Sequence, residues 1–427
     1  VGLPTKGEEY GMQKTVVLLG TLDTKGIEFG YVKEKIIEQG CRAVVVDAGV
    51  LGRPLLEPDI TREQVAQAAG FSIESVASLG AEVKAIEVMS QGAAVIVREL
   101  YQSGRLDGII SLGGTMGTSL ATAAMRALPV GVPKVMVSTV AAWDTRPYLG
   151  TKDITMIAPI TDILGLNRIT KRMLATAAGA VVGMVRADPG PLPSDKPLIG
   201  ITLHGDLLPC LNVAKGILEA RGYDVVVFAA VGTGGKAMEE WIEQGLIDGV
   251  FDLVTHEVAA HLYNGLADAG PHRLEAAGRK GIPQVVAPGG IEMALLLNPS
   301  QGIPEHLRAR NVRMHNPFMG AVRANKEEMA TLGKVMAAKL NKAIGPTAVI
   351  IPRKGFAGPD KEGGDFYDPD ANLAFIEALK KDLKPEIELL ELDAHINDRV
   401  FAETAANLLD ALMHKSRGLL NNGFSSF

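Results

Sequence analysis

The strongest constraint on the fold is an internal repeat. PLIGITLHGDLLPCLNVAKGILEARGYDVVVFAA (197–230) aligns without gaps on the segment 182 positions earlier. Each copy runs from an apolar strand through a polar turn to a helix closing on a glycine (Gly40, Gly222), then a second strand. QSGRLDGII (102–110) then matches EQGLIDGVF (243–251), and GVPKVMVS (131–138) matches GIPQVVAP (281–288). Three matches in one order point to duplication of a whole α/β unit rather than a short-period solenoid. The offset falls from 182 to 141 between the first and second match, which puts about 41 additional residues in the first copy, near 50–90.

The strands inside each copy are continuous apolar runs. TVVLLG (15–20), CRAVVVDAG (41–49), GRLDGIISLGG (104–114), VPKVMVSTV (132–140) and DITMIAPI (153–160) alternate with helical patterns such as GIEFGYVKEKIIEQG (26–40). Runs of this kind are buried on both faces, as in parallel sheets covered by helices. The expected fold is therefore α/β, with two Rossmann-like doubly wound parallel-sheet domains. Between them MVRADPGPLPSDKPLIG (184–200) carries four prolines and reads as a semi-rigid linker. The expected domains are 1–190 and 191–427.

Charge and cysteine content exclude several classes. The net charge is −6 with no basic run, so the phosphate-neutralising surface of a nucleic-acid binder is missing. No apolar stretch reaches the roughly 18 residues of a membrane span. The first residues lack the basic-then-apolar layout of a secretory signal. Two cysteines, Cys41 and Cys210, are too few for a disulfide framework and fit a reducing compartment. The cytoplasm is the expected location.

In open parallel sheets ligands bind beyond the carboxyl ends of the strands. The loop after the third strand, SLGGTMGTSL (111–120), is the richest candidate. Gly113 and Gly114 let a ligand approach bare backbone, Gly117 tolerates positive φ, and Thr115, Thr118 and Ser119 supply hydroxyls at a helix start. This points to an anion, phosphate above all, although no Gly-Lys-Ser/Thr follows at P-loop spacing. After the first strand, Thr21, Asp23, Thr24 and Lys25 open another helix, as caps or as anion contacts. After the fourth, Ser138, Thr139, Asp144 and Thr145 cluster beside Arg146, with Trp143 able to stack on a base. Asp47 ends the second strand, where dinucleotide folds place a ribose-binding acid or a turn acid.

The second half has its own glycine loop, AAVGTGGKAMEE (229–240). Gly232, Thr233, Gly234 and Gly235 open a helix, with Asp252 twenty residues beyond Gly232. The loop follows the second strand of its unit, so a dinucleotide reading is weak, but phosphate or carboxylate contact is expected. HEVAAH (256–261) spaces its histidines about 140° apart on a helix, which a shared metal does not allow, and no metal site is expected. Cys210 at a helix start is either a small buried residue or a nucleophile. Asp393, His395, Asn397 and Asp398 gather in LDAHINDRVFAE (392–403).

GTLDTK, the glycine loop with ATAAMRALPVGVPKVMVSTVA, YLGTKDI, LNRITKRMLATAAGAVVGMV, GTGGKAME and DAHIND together resemble one family. It comprises largely uncharacterised bacterial and fungal proteins related to the N-terminal domain of the tomato mosaic virus resistance protein. The resemblance implies two Rossmann-like subdomains, ATP binding and self-association as a homo-oligomer. With no dedicated ligand cluster, any Mg²⁺ is expected to reach Asp23 and Asp144 only through a bound phosphate. The chain departs from the family pattern at Thr115 and Met116 in a loop otherwise Gly-Gly-Ser-Gly-Gly-Thr-Ser, at Ala142-Trp143 before Asp144, and at HGDLLPC around Cys210. The leading expectation is a nucleotide-binding protein with phosphates on the glycine loops at an interdomain cleft. The alternatives are an enzyme acting there on a small carboxylate or phosphorylated metabolite, using Asp23, Asp144, Cys210, His204 or His395, and a non-catalytic sensor.

Overall fold

The structure, a computed structural model, describes residues 13–187, 194–297, 305, 309–316 and 319–423. Contacts divide the chain into two compact units, residues 1–192 and 193–427. Residues 188–193 of the expected linker lie outside the described residues.

The first unit runs β1 (Thr15–Gly20), α1 (Leu22–Glu38), β2 (Arg42–Asp47), α2 (Arg62–Ala68), α3 (Ile73–Ala77), α4 (Glu82–Gln102) and β3 (Gly108–Gly113). It continues through α5 (Thr115–Arg126), β4 (Lys134–Ser138), α6 (Arg146–Leu149), β5 (Thr155–Ile157) and α7 (Arg168–Arg186). The strands form one parallel sheet in the order β2-β1-β3-β4-β5. Alternate residues of β1 serve opposite faces, as the twofold repeat of a strand requires. Val16 and Leu18 pack with Phe29 and Leu174 of α1 and α7. Val17 and Leu19 pack with Val65, Met89 and Leu120 of α2, α4 and α5. Both faces being buried explains why the strand reads as a continuous apolar run.

The second unit begins with β6 (Leu198–Leu203), α8 (Leu208–Ala220), β7 (Asp224–Ala229), α9 (Thr233–Glu243), β8 (Gly249–Val254), α10 (His256–Tyr263), α11 (Ala276–Lys280) and β9 (Gln284–Gly289). It continues with β10 (Met293–Leu297), β11 (Val312–Asn316), β12 (Met319–Arg323), α12 (Lys326–Leu340), β13 (Thr347–Pro352), α13 (Pro369–Asp382), β14 (Glu388–Leu392) and α14 (Arg399–Gly423). Its main sheet is parallel in the order β7-β6-β8-β9-β13-β14. Counted along each parallel sheet, both follow the order second, first, third, fourth, fifth, with a sixth strand added in the second, so both reverse direction between the first and third strands. Between their second and third strands the units differ: α2, α3 and α4 stand in the first where α9 stands alone in the second. The additional residues expected near 50–90 are these helices and the loop leading to them.

A three-stranded antiparallel sheet, β10-β12-β11, is added to the second unit. The sequence reading, tuned to parallel α/β repeats, did not anticipate it. Among the described residues no helix is long and apolar enough to cross a membrane.

Candidate ligand site at the edge of the first sheet

Strand-order reversal between β1 and β3 leaves a crevice beyond their carboxyl ends, because the following helices pack on opposite faces. A cavity of about 820 Å³ lies there, bounded by the starts of α1 and α5 and by the 48–86 segment. Its size falls in the roughly 300–1,000 Å³ of small-molecule sites. Of the expected residues, Thr21, Asp23, Thr24, Lys25, Gly113, Gly114, Thr115 and Gly117 line it, together with Met116.

The α5 start has the character of an anion site. Gly114 is its N-cap and offers no side-chain cap. The first N–H bonded back to it belongs to Thr118, at 2.9 Å from the Gly114 oxygen. Helix geometry therefore leaves the N–H groups of Thr115, Met116 and Gly117 without intrahelical acceptors, at the positive end of the helix dipole. All three residues line the cavity, and Thr115 is exposed to it. A Cβ on Gly113 would sit 3.2 Å from the Gly117 Cα, so Gly113 is needed for the tight strand-to-helix turn.

Three of the expected hydroxyls are committed elsewhere. Thr118 is buried, with its Oγ1 donating to the Gly114 carbonyl at 2.8 Å and lying 2.6 Å from the Ser138 Oγ. Ser138 is buried too, and caps the short helical turn 139–142 by accepting from the Val140 N–H. Ser119 donates to the Thr115 carbonyl at 3.0 Å. Thr118 and Ser138 thus fasten α5 to β4 rather than face a ligand. Thr139 is half-buried in that turn, and Thr145 stands at the N-cap of α6 without a side-chain cap bond.

At the α1 start, Thr21 and Thr24 bring their hydroxyls within 2.8 Å of each other, and the Lys25 ammonium donates to the Ile163 carbonyl. Asp23 is half-buried, and its Oδ1 is buried with no hydrogen-bond partner. Burial holds its carboxyl above the usual range; Arg62 opposes that shift and Asp47 adds to it. Of the two roles open to Asp47, ribose contact and turn acid, its partners match the second. Its side chain is buried, pairs with Arg62 at 2.7 Å, and accepts from the Leu22 and Gly49 N–H groups. All its acceptor capacity goes into joining β2 to α1 and α2.

The far wall was missed in reading the sequence. Val50, Leu51, Val76, Ala77, Ala85 and Ile86 supply an apolar surface opposite the glycine loop. The only signal was the change in repeat offset, which located the segment without revealing what it covers.

Asp144 is not brought to this cavity. It forms a two-point pair with Arg146 at 2.7 and 2.8 Å, half exposed, and the guanidinium holds its carboxyl below the usual range. Trp143 beside it is 72% exposed and stacks on nothing in the cavity wall.

The second glycine loop is corrected more sharply. The N terminus of α9 already holds an anion: Glu257 Oε1 accepts from the Gly232 N–H at 2.7 Å and the Gly235 N–H at 3.1 Å. A Cβ on Gly235 would fall 1.8 Å from Glu257 Oε2, and one on Gly234 1.8 Å from the Ala229 oxygen. Gly232 has φ +91°, which favours glycine. Gly232, Thr233, Gly234 and Gly235 therefore form a close-packed turn around an internal carboxylate, not a phosphate loop. Glu257 in turn pairs with the buried Arg273, which also holds Asp252 and Glu239.

Cys210 is no nucleophile: it is buried in the core under α8, and burial pushes its thiol up to about 12. His395 uses both ring nitrogens locally, Nδ1 accepting from the Asn397 N–H at 3.1 Å and Nε2 donating to the Ala357 carbonyl at 3.0 Å. It fixes a loop and carries no free base. His256 reaches the Ala230 carbonyl and His261 pairs with Asp268 at 2.9 Å. Among the described residues no group of three His, Cys, Asp or Glu is placed to hold a metal ion.

Models of an uncharacterised protein family, UPF0261, match both halves, the N-terminal domain over residues 14–189 and the C-terminal domain over 196–413. The chain belongs to the UPF0261 family. A UPF0261 protein of Clostridium tetani is 45% identical over 405 residues, covering 95% of this chain and 100% of that one. A UPF0261 protein of Brucella suis is 37% identical over 398 residues, 92% of this chain and 94% of that one. The ToMV resistance protein Tm-1(GCR237) of Solanum lycopersicum is 35% identical over 340 residues, 78% of this chain and 45% of the tomato protein. A solved UDP-N-acetylglucosamine 2-epimerase aligns over 88% of this UPF0261 chain and 92% of its own at 11% identity, with a TM-score of 0.25.

Proposed function

We propose that the first unit is a nucleotide-binding domain, with the phosphates of ATP at the N terminus of α5. One observation carries this reading: an uncapped helix N terminus, led by Gly114, opens into a cavity of about 820 Å³ at the strand-order reversal of a parallel sheet. Phosphate there gains from the Thr115–Gly117 N–H groups and the helix dipole. Lys25 on the same cavity wall adds a cation, and the apolar face of Val50, Val76 and Ile86 suits the nucleoside end. In this reading Asp23, with its unpartnered buried oxygen, accepts Mg²⁺ carried by the phosphates. Met116 lines the same cavity beside the glycine loop. Self-association as a homo-oligomer and a cytoplasmic location belong to the same reading.

A thermal-shift titration with ATP and Mg²⁺ tests it. Saturating ligand at about 100 times Kd stabilises by about 2.7 kcal/mol, and Gly114→Asp removes the shift. At Gly114 a Cβ meets only the Thr139 Oγ1, at 3.8 Å, and φ is an ordinary −82°. The new carboxylate therefore caps α5 itself and takes the phosphate position without harming the fold. An undiminished ATP shift in that variant would sink the reading. Light scattering on the same protein reads the oligomeric state.

A further inference from the structure

The second sheet also reverses its strand order, between β6 and β8, and so has a crevice of its own beyond those strands. Where the first unit places glycines and hydroxyls, the second places histidines and acids. His204 follows β6, with its ring 5.4 Å from that of His256 after β8 and 6.5 Å from that of His315 in β11. Asp206 Oδ2 lies 3.8 Å from His204 Nδ1 and 3.7 Å from Arg313 Nη1.

A second, independent observation concerns unmet hydrogen bonds. Native interiors leave few buried polar atoms without partners, and each calls for an explanation. Among the described residues eight such side-chain atoms occur, and five belong to this edge: His204 Nδ1, both oxygens of Glu292, Asp360 Oδ1 and Asn397 Oδ1. Glu292 and Asp360 are wholly buried. The loops that carry them are drawn together at the ends of β6, β9, β13 and β14. The Gly290 N–H donates to the Phe356 carbonyl at 3.1 Å, and the Asn397 Nδ2 donates to the Asp206 carbonyl at 2.8 Å. Asp360 Oδ2 accepts from the Phe356 N–H and Asn372, while its Oδ1 stands 4.0 Å from Arg323.

The charge state follows from these surroundings. Burial pushes the Glu292 carboxyl up to about 8; Asp360 adds to the shift, Arg323 opposes it, and Asp206 adds to it. At neutral pH Glu292 therefore favours its protonated form, a buried O–H donor whose oxygens have no hydrogen-bond partner. Burial holds His204 below the usual histidine range; Asp206 opposes that, while His315 and Arg313 reinforce it. His204 is then a neutral ring with an unpartnered Nδ1. Above them Arg313 is the loosely held group, 3.7 Å from Asp206, 3.4 Å from Asp365 and 38% exposed. A guanidinium between two distant acids is free to turn to a bidentate carboxylate.

We propose that this edge is a second ligand site, for a small carboxylate metabolite that also bears a hydroxyl or carbonyl oxygen, with Arg313 on the carboxylate and Glu292 and His204 on the other oxygen. It stands independently of nucleotide binding in the first unit.

Calorimetric titration of the full chain at pH 7 tests it with lactate, malate and 2-oxoglutarate, each beside the acid lacking that oxygen: propionate, succinate and glutarate. At least one oxygenated acid binds tenfold or more tightly than its counterpart, Arg313→Met weakens it tenfold or more, and Gly114→Asp leaves it unchanged. Because a change at a buried position risks misfolding, Glu292 is read in the intact protein. Its protonated carboxyl gives an infrared C=O band at pH 7 that shifts when the acid binds and is absent in Glu292→Gln. Equal binding of each pair, no binding up to about 10 mM, insensitivity to Arg313→Met, or a band that ignores the ligand overturns the proposal.

Discussion

Glu257 closes the N terminus of α9 from within, its Oε1 accepting the Gly232 N–H at 2.7 Å. The same carboxylate pairs through Oε2 with Arg273 at 2.7 Å, in a site neither residue exposes to solvent. Removing it leaves two backbone donors and a buried guanidinium short of an acceptor. Glu257→Ala is expected to destabilise the second unit by about 3–5 kcal/mol, read as a lower urea midpoint. Inorganic phosphate is expected to restore part of that loss in the variant and to leave the wild-type midpoint unmoved at matched ionic strength.

Gly235→Ala tests the same arrangement from the other side. Its methyl would fall 1.8 Å from Glu257 Oε2 and 2.5 Å from Arg273 Nε. An overpacked, buried ion pair costs about 1–3 kcal/mol or more. The alanine variant is expected to melt lower while its ATP shift stays at the wild-type value. Equal melting temperatures would show that the turn has room the structure denies it.

Both cysteines are buried. Native protein at pH 8 is expected to react with a thiol reagent at neither Cys41 nor Cys210 on the timescale of minutes, and at both after denaturation. Rapid labelling of Cys210 in the folded chain would contradict a thiol raised to about 12 by burial.

Glu292 gives a pH dependence with a definite sign. Its folded value of about 8 stands above the ordinary 4.5, so the folded state binds the extra proton between those values. Stability contributed by this group is full below pH 4.5 and falls as pH rises to about 8, by up to about 1.4 kcal/mol per pH unit. Glu292→Gln, which cannot ionise, is expected to gain on the wild type between pH 6 and 8 in urea unfolding of the second unit. Parallel curves for the two proteins would place the proton elsewhere.

The strands and their order of use were legible because burial on both faces writes itself as uninterrupted Val, Ile and Leu, as in β1 and β3. The carboxyl edge of the first sheet was legible for the same reason, since a glycine such as Gly114 right after such a run marks the strand end. Whether a glycine turn meets an outside anion or an inside one was not legible. Gly232 and Gly114 look alike in sequence, and what separates them is Glu257, twenty-five residues away and adjacent only after folding. Asp47 was left between a ribose contact and a turn acid for a similar reason, since its partner Arg62 comes from the added helices. Glu292 gave no sign at all: a lone acid in PGGIEMALL takes its character from Asp360 and Arg323, which the fold alone brings near.

The roof of the first cavity is built from chain that the parallel sheet does not need. Residues 50–86 have no counterpart in the second unit, whose sheet forms in the same strand order without them. Selection acting on that stretch can reshape one wall of the cavity while the opposite wall, set by β1, β3 and the start of α5, stays put. The duplicated architecture thereby separates what must be kept from what is free to diverge, and a relative with a different ligand is expected to differ there first.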